Sequence, residues 1–501
     1  MSTAQQNIKV WSPQQLAVFD FVENGTGSAI VEAVAGSGKT TTSVEATNRI
    51  PTSQSVLFLA FGKQIAETLK SRVAAHVNAS TFHSLGAKAL FRHLRGAKIS
   101  QHKIRDLIDG HCSKATQETY AAVVAKLVGF AQGEGVGILV PDTYETWWGL
   151  LEHHGIELEE PATAERAVEI ARGILQLSIE TARDHAIIDF ADQLYLPLLW
   201  KLPVGRYDWV FIDEAQDTSP VRLALARAAL APGGRLVAVG DPRQAIMGFT
   251  GAGHDSLDQI AASFNAVRLP LSVSYRCPQA VVADARRFVS HIEASDAAPE
   301  GSVEHLAEID PREIDRKGSI ICRNTAPLIS AAFTLIAAQV GCKVLGREIG
   351  AGLIKLIEKQ RAKGIDALIE KLEAYREREV AAAVAKKEDA KAEAINDKVD
   401  AIRAVIDNLA ETRRTVPALI EAIESLFADT VNGVVTLSTI HTAKGLEYPT
   451  VYILEPALSP SKFARQEWMK KQEVNLQYVA ATRAQERTIY VDAIVRAGGG
   501  A

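Results

Sequence analysis

The apolar positions of the chain fall into short continuous runs rather than alternating stripes. Ala29-Ile30-Val31, Val56 to Phe61, Trp209 to Asp213 and Arg235 to Gly240 each read as a strand buried on both faces, the pattern of a parallel sheet. The same kind of run recurs at Gly318 to Cys322, Val434 to Leu437, Val451 to Leu454 and Thr488 to Val491. Helical periodicity fills the gaps, as in Gln64 to Val73 after the second run. Two stretches break this alternation. Residues 95–185 hold helical segments such as Thr116 to Phe130 and Ala162 to Leu177 without a strong buried strand, and Leu353 to Phe427 is largely helical.

The pattern predicts an α/β chain with two core domains, each interrupted by a mainly helical insertion. Residues 1–94 and 186–268 are expected to form the first core, and 95–185 its insertion. Residues 269–350 and 431–501 are expected to form the second core, with a second α/β unit starting near Leu269 and 351–430 as its small helical insertion. Within that insertion, Glu373 to Ala410 is rich in Ala, Glu and Lys and lacks Gly and Pro. It reads as a solvated helical hairpin or short coiled coil, a solvent-facing arm that a flexible linker should replace without disturbing either core. Trp147 and Trp148, in the first insertion, are expected to pack in a core.

With 501 residues, 47% hydrophobic and 23% charged, the chain has the composition of an ordinary globular protein and is too long for one core. No apolar run approaches the roughly 20 residues of a membrane span. The start, Met1 to Gln6, lacks a basic-then-apolar secretion signal. Cys112, Cys277, Cys322 and Cys342 are scattered without metal-type pairing, and read as free thiols in a reducing cytoplasm. A cytoplasmic location with no membrane partner is therefore expected. The net charge of −5 argues against coating duplex DNA by bulk charge, but leaves room for a local basic groove.

The chemistry is concentrated at the ends of two apolar runs. Ala33-Val34-Ala35-Gly36-Ser37-Gly38-Lys39-Thr40 follows the first run and opens a Thr-rich segment able to start a helix. A Gly-rich turn there lets backbone N–H groups close around a polyphosphate. Lys39 can reach the β- and γ-phosphates, and the Thr40 hydroxyl can sit on Mg²⁺. Ala35, Gly36, Ser37, Gly38 and Thr41 complete the expected nucleotide cradle. The run from Trp209 leads into Asp213-Glu214-Ala215-Gln216-Asp217. Ligands collect at the carboxyl ends of parallel strands. Asp213 is placed to hold Mg²⁺ through water, and Glu214 to orient and deprotonate the attacking water.

Further strings follow in order. They are Thr81-Phe82-His83-Ser84, Ile188-Asp189-Phe190-Ala191-Asp192, Gly240 to Ile246, Ser274-Tyr275-Arg276, Cys322-Arg323-Asn324, Thr439 to Glu447 and Leu476 to Ala484. Together with the phosphate loop and the DEAQD run, this ordered set resembles the UvrD/Rep-type superfamily one DNA helicases, from about Trp11 to Val491 with gaps at the two insertions. The loop form beginning with Ala33 is also that family's.

The resemblance implies two RecA-like P-loop cores and an ATP-dependent DNA helicase or translocase that moves 3′-to-5′ on single-stranded DNA, with ATP and Mg²⁺ as cofactors. By the same resemblance, Gln15 reads adenine, Tyr275 stacks on it and Glu447 holds the ribose. Gln244 senses the γ-phosphate, and Arg276 and Arg483 reach it from the second core. Phe61, His83 and Phe249 occupy DNA-facing positions, and Thr81, Thr439 and His441 could bond phosphates. The expected partners are single-stranded DNA, single/double-strand junctions and a replication or repair protein, with the free protein a monomer. Two departures stand out. Met247, Phe249 and Thr250 replace residues common in the family, and the second insertion is short for it. A helicase–nuclease subunit is a second enzymatic reading, although the chain after Arg483 is expected to be too short for a nuclease domain. An ATP-gated remodeller that displaces proteins without unwinding is a third.

Overall fold

The computed structural model describes residues 10–154, 156, 158, 162–246, 255–385, 389–428, 434–462, 464 and 466–495. The chain divides into two compact units, Met1–Ser272 and Val273–Ala501.

The first unit is built on strands β1 (Ala29–Ala33), β2 (Val56–Ala60), β3 (Val77–Thr81), β4 (Lys98–Ile99), β5 (Ile187–Ile188), β6 (Tyr207–Ile212), β7 (Leu230–Gly240) and β8 (Val267–Leu271). Six of them form one sheet in the order β3-β2-β6-β7-β1-β8, with every neighbouring pair parallel. Its strands read as continuous apolar runs because both faces are covered. Val56, Phe58 and Ala60 point into one hydrophobic cluster, which also receives Val18 and Phe19 from the helix Pro13–Asn24. Leu57 and Leu59 point into the other, with Phe82, Leu85 and Leu225 from helices on the opposite face. β8 pairs with β1 through Leu269↔Val31, so the chain leaves this unit after Ser272 rather than near Leu269. The boundary shift arises because a short strand whose alternate residues are exposed does not stand out as an apolar run.

The first insertion has its own core, into which Val124, Leu127, Trp147, Val168 and Ala171 are packed. Trp147 is fully buried there, as expected. Trp148 is not: it stays 36% exposed, with its indole N–H donated to Glu152. The insertion is fastened by a buried polar network. Lys103 Nζ lies 2.5 Å from Asp192 Oδ2 and donates to the Ser178 carbonyl at 2.7 Å, while Gln132 donates to Asp192 Oδ1 at 3.0 Å. The Lys103 ammonium and the Asp192 carboxylate each supply the counter-charge that makes the other's burial tolerable.

The second unit contains β9 (Val273–Ser274), β10 (Glu293–Ala294), β11 (Ser302–Ile309), β12 (Ser319–Cys322), β13 (Cys342–Val344), β14 (Val435–Thr439), β15 (Tyr448–Leu454) and β16 (Ala484–Ile494). A second six-stranded sheet has the order β11-β16-β15-β12-β14-β13, again parallel throughout. Both units are therefore α/β folds of the RecA-like kind.

The second insertion departs from its expected form. Helices Ile365–Ala385 and Asp389–Asp407 do make a hairpin, but it is not a solvated arm. Val399, Ala401, Ile402, Val405 and Ile406 lie in the hydrophobic core of the second unit with Ile320, Leu335 and Leu437. The Asp397 carboxylate accepts from the backbone N–H groups of Thr325 at 2.9 Å and Ala326 at 2.8 Å, closing the start of the helix Thr325–Ala337. Spaced Ala and Ile residues among many charges conceal an apolar stripe that faces the sheet layer. Among the described residues, no helix is long and apolar enough to cross a membrane.

Candidate functional site

The phosphate loop sits at the carboxyl end of β1. Ala33, the loop's first position, is still an extended strand residue paired with Leu271, so it needs no glycine freedom. Gly36 and Gly38 do need it, with φ of 74° and 77°. Gly38 is the cap of the helix Lys39–Asn48, whose first N–H groups are free of intrahelical partners and favour an anion. Ser37 is 1% exposed, and its hydroxyl oxygen is buried without a partner among the described residues. A buried orphan hydroxyl in a positive loop fits a bound phosphate oxygen.

Beside the loop stand the two carboxylates from the end of β6. The Thr40 hydroxyl donates to Asp213 Oδ2 at 3.0 Å, and Lys39 Nζ lies 3.8 Å from Glu214 Oε1. Asp213 is 2% exposed. Burial, then the neighbouring Glu214 charge, pushes its carboxyl up to about 6, against the opposing pull of Lys39 and Thr40. A buried carboxylate beside a hydroxyl, with more negative than positive charge around it, fits a hard divalent cation. Protons and Mg²⁺ should then compete for Asp213. The Mg²⁺ concentration that half-saturates ATP hydrolysis is expected to rise as the pH falls through about 6, after allowing for protonation of ATP itself. Mg²⁺ titrations at about pH 7.5 and about pH 5.5 check this, and superimposable curves would remove Asp213 from the cation site.

Glu214 has φ of 50°, the left-handed region, unusual for a residue with a side chain. This conformation turns it back toward Lys39. Its other oxygen, Oε2, accepts from the Gln216 amide. Gln216 Oε1 in turn accepts from the Asp241 N–H at 3.1 Å, and Asp241 Oδ2 accepts from Gln244 Nε2 at 2.7 Å. A continuous chain thus runs Lys39, Glu214, Gln216, Asp241, Gln244. Gly240 is what lets it close, since a Cβ there would meet Gln216 Oε1 at 2.5 Å. Sequence reasoning assigned Gln244 a part but gave none to Gln216, Asp241 or Gly240. The available signal was a glycine ending an apolar run.

Gln15 is buried at the same end of the unit. Its amide accepts from the Ser12 N–H and donates to Thr42 in the phosphate-loop helix at 2.9 Å. The Thr41 hydroxyl faces away, accepting from Arg72 at 3.1 Å. Among the expected DNA-facing residues, Phe61 and His83 share a neighbour. The Arg222 guanidinium lies 4.1 Å from the Phe61 ring centroid. Burial first, and Arg222 second, bring His83 down to about 4, so its ring is neutral near pH 7. Thr81 caps the helix Phe82–His93, accepting from Ser84 N–H at 3.0 Å. Phe249, with Met247 and Thr250, lies outside the described residues.

The second unit gathers the remaining candidates. Arg276 is paired with Glu447 and donates to the Thr482 carbonyl at 3.3 Å, while its Nε is buried without a partner among the described residues. Gln485 donates to the other Glu447 oxygen at 3.2 Å. Burial works to raise the Glu447 carboxyl, yet the Arg276 charge and these hydrogen bonds hold it below the usual range. Arg483 is 1% exposed and donates to the Val479 carbonyl at 2.9 Å. Tyr275 is 47% exposed beside them. Thr439 and His441 lie apart from this cluster in role: the Thr439 hydroxyl bonds Thr442 at 3.0 Å, and burial, then Arg323, brings His441 down to about 4. Arg323 is held by Glu473 through a bidentate contact at 2.8–3.1 Å.

A parallel sheet whose first strand ends in such a loop, with carboxylates on a neighbouring strand, is the architecture of a P-loop NTPase domain. Residues 11–265 match the UvrD/REP helicase N-terminal domain, and residues 355–491 match the UvrD-like helicase C-terminal domain. The chain belongs to the UvrD/Rep-type superfamily one helicases. It is 25% identical to F-box DNA helicase 1 of Gallus gallus, over 97% of this chain and 49% of that one. It is 24% identical to F-box DNA helicase protein 1 of Schizosaccharomyces pombe, over 98% of this chain and 58% of that one. DNA helicase IV of Escherichia coli is 25% identical over 56% of this chain and 47% of its own length. The chain thus spans about half the length of these relatives.

Proposed function

We propose that this chain is an ATP-dependent DNA helicase that moves 3′-to-5′ on single-stranded DNA. The observation that carries the reading is the Lys39–Glu214 and Thr40–Asp213 arrangement at the carboxyl ends of β1 and β6, in a chain of this family. Ala35, Gly36, Ser37, Gly38, Lys39 and Thr40 cradle the polyphosphate, with Gln15 at the base. Thr40 and Asp213 hold Mg²⁺, which neutralises charge on the phosphates when bound. Glu214 accepts the proton of the attacking water. Gln244 reports the state of the nucleotide through Asp241 and Gln216. Arg276 and Arg483 supply positive charge to the transferring phosphoryl group, and Tyr275 and Glu447 complete the nucleoside contacts. Phe61, Thr81, His83, Thr439 and His441 contact the single strand.

Unwinding of duplexes carrying a single-stranded tail of either polarity tests the reading. Strand separation of the 3′-tailed substrate only, dependent on ATP and Mg²⁺, is expected. Efficient unwinding from a 5′ tail would reverse the direction. ATP-driven removal of a bound protein from single-stranded DNA, with neither duplex opened, would make the chain a remodeller instead.

A further inference from the structure

The chain has more acidic than basic residues, 60 against 55, yet carries no Asp or Glu between Glu67 and Asp106, where eight Lys and Arg stand. Four of the eight, Lys88, Arg92, Arg95 and Lys98, stand close together in the chain, from one helix to β4. The helix Phe82–His93 begins at Thr81 and His83, and is twelve residues long, about 18 Å at 1.5 Å per residue. Leu85, Gly86, Ala89 and Leu90 face inward, whereas Ser84, Lys88, Phe91 and Arg92 are exposed, and Arg95 continues their spacing beyond the helix end. Lys98, in β4, is exposed too. Among the described residues, Lys88, Arg95 and Lys98 form no side-chain ion pair or hydrogen bond. Arg92 donates to the Lys88 and Pro203 carbonyls, not to a carboxylate. Asp184, shortly before the strand that pairs with β4, is already paired with Arg183 at 3.1 Å.

We propose that Lys88, Arg92, Arg95 and Lys98 form a binding surface for the backbone of single-stranded DNA, lengthening the track that starts at His83. This inference rests on the helicase reading above. Neighbouring exposed cations with no carboxylate partner, in an otherwise acidic chain, are the electrostatic footprint of a polyanion. Single strands rather than duplex are indicated because exposed rings accompany the charges, one among them and one at the start of the helix. Phe91 is 43% exposed on the same face, and Phe190, 50% exposed, packs edge-on to His83. Charge along the backbone combined with rings for bases is how single strands are held.

The triple variant K88Q/R95Q/K98Q loses no bond seen in the fold, so its thermal unfolding should match the wild type. Its binding to a fluorescent oligothymidylate, followed by anisotropy over a series of NaCl concentrations, should weaken by about one to two orders of magnitude near 0.15 M salt. The slope of log affinity against log salt should fall by about 2, at about 0.7 per phosphate contact on a single strand. ATP turnover at saturating oligothymidylate should be retained. An unchanged slope and affinity would overturn the proposal. So would a loss confined to a blunt duplex measured in parallel, which would make the surface a duplex contact. Wild-type protein that neither binds the oligomer nor hydrolyses ATP faster in its presence would instead overturn the helicase reading, and this surface with it.

Discussion

Glu214→Gln is expected to reduce DNA-stimulated ATP hydrolysis by about 10²- to 10⁴-fold, the usual contribution of a positioned general base, while nucleotide binding survives. The substitution is conservative where it matters. A glutamine can keep an oxygen toward the Gln216 amide, which now donates to Glu214 Oε2, so the chain onward to Asp241 and Gln244 persists. What disappears is the carboxylate facing Lys39 at 3.8 Å, and with it the proton acceptor. Lys39→Ala should differ in kind: turnover and nucleotide affinity both fall, because a phosphate contact is removed. Steady-state turnover beside equilibrium binding of a fluorescent ATP analogue separates the two. A Glu214→Gln protein turning over near the wild-type rate would show that the base lies elsewhere.

The parts of this site that were legible in the sequence are those where chemistry and chain order coincide. Lys39 and Thr40 close the short loop that follows β1, and Asp213 and Glu214 directly follow β6, so reading along the chain meets them as intact strings. Residues whose role comes from cross-chain geometry were not legible. Gln216 matters because it bridges Glu214 to the Asp241 backbone, and nothing in DEAQD distinguishes it from a turn residue. Arg222 reaches Phe61 only because the helix Pro220–Ala228 shares a hydrophobic cluster with Leu57 and Leu59 of β2, far earlier in the chain. The fold was legible where strands are buried on both faces. It was obscured at β8, the edge strand beside β1, where Arg268 and Pro270 break the apolar run.

Replacing Glu373 to Ala410 with a Gly/Ser linker is expected to unfold the second unit, contrary to what the charge-rich sequence suggests. Val399, Ala401, Ile402, Val405 and Ile406 are each 0–1% exposed in that unit's core. Truncating a single large buried aliphatic residue typically costs about 2–5 kcal/mol, and a whole domain is stable by only about 5–15 kcal/mol. Removing several at once exceeds what the unit has to lose. The milder Asp397→Ala separates capping from core loss. It leaves two N–H groups at the start of the helix Thr325–Ala337 without their acceptor, which costs about 1–3 kcal/mol. Urea unfolding with limited proteolysis should show a shifted but cooperative transition for Asp397→Ala, and a second unit open to protease without denaturant for the linker variant. The hairpin also reaches the candidate strand-binding chemistry: Glu393 accepts from the Ser461 hydroxyl at 2.6 Å, and the Ser461 N–H donates at 2.8 Å to Glu473, the carboxylate that holds Arg323 beside His441. A linker variant that kept wild-type unfolding and single-strand-stimulated ATPase would return the hairpin to the status of a dispensable arm. Loss of both is expected, because the helices that carry its charges outward also carry the apolar stripe on which the second sheet is packed.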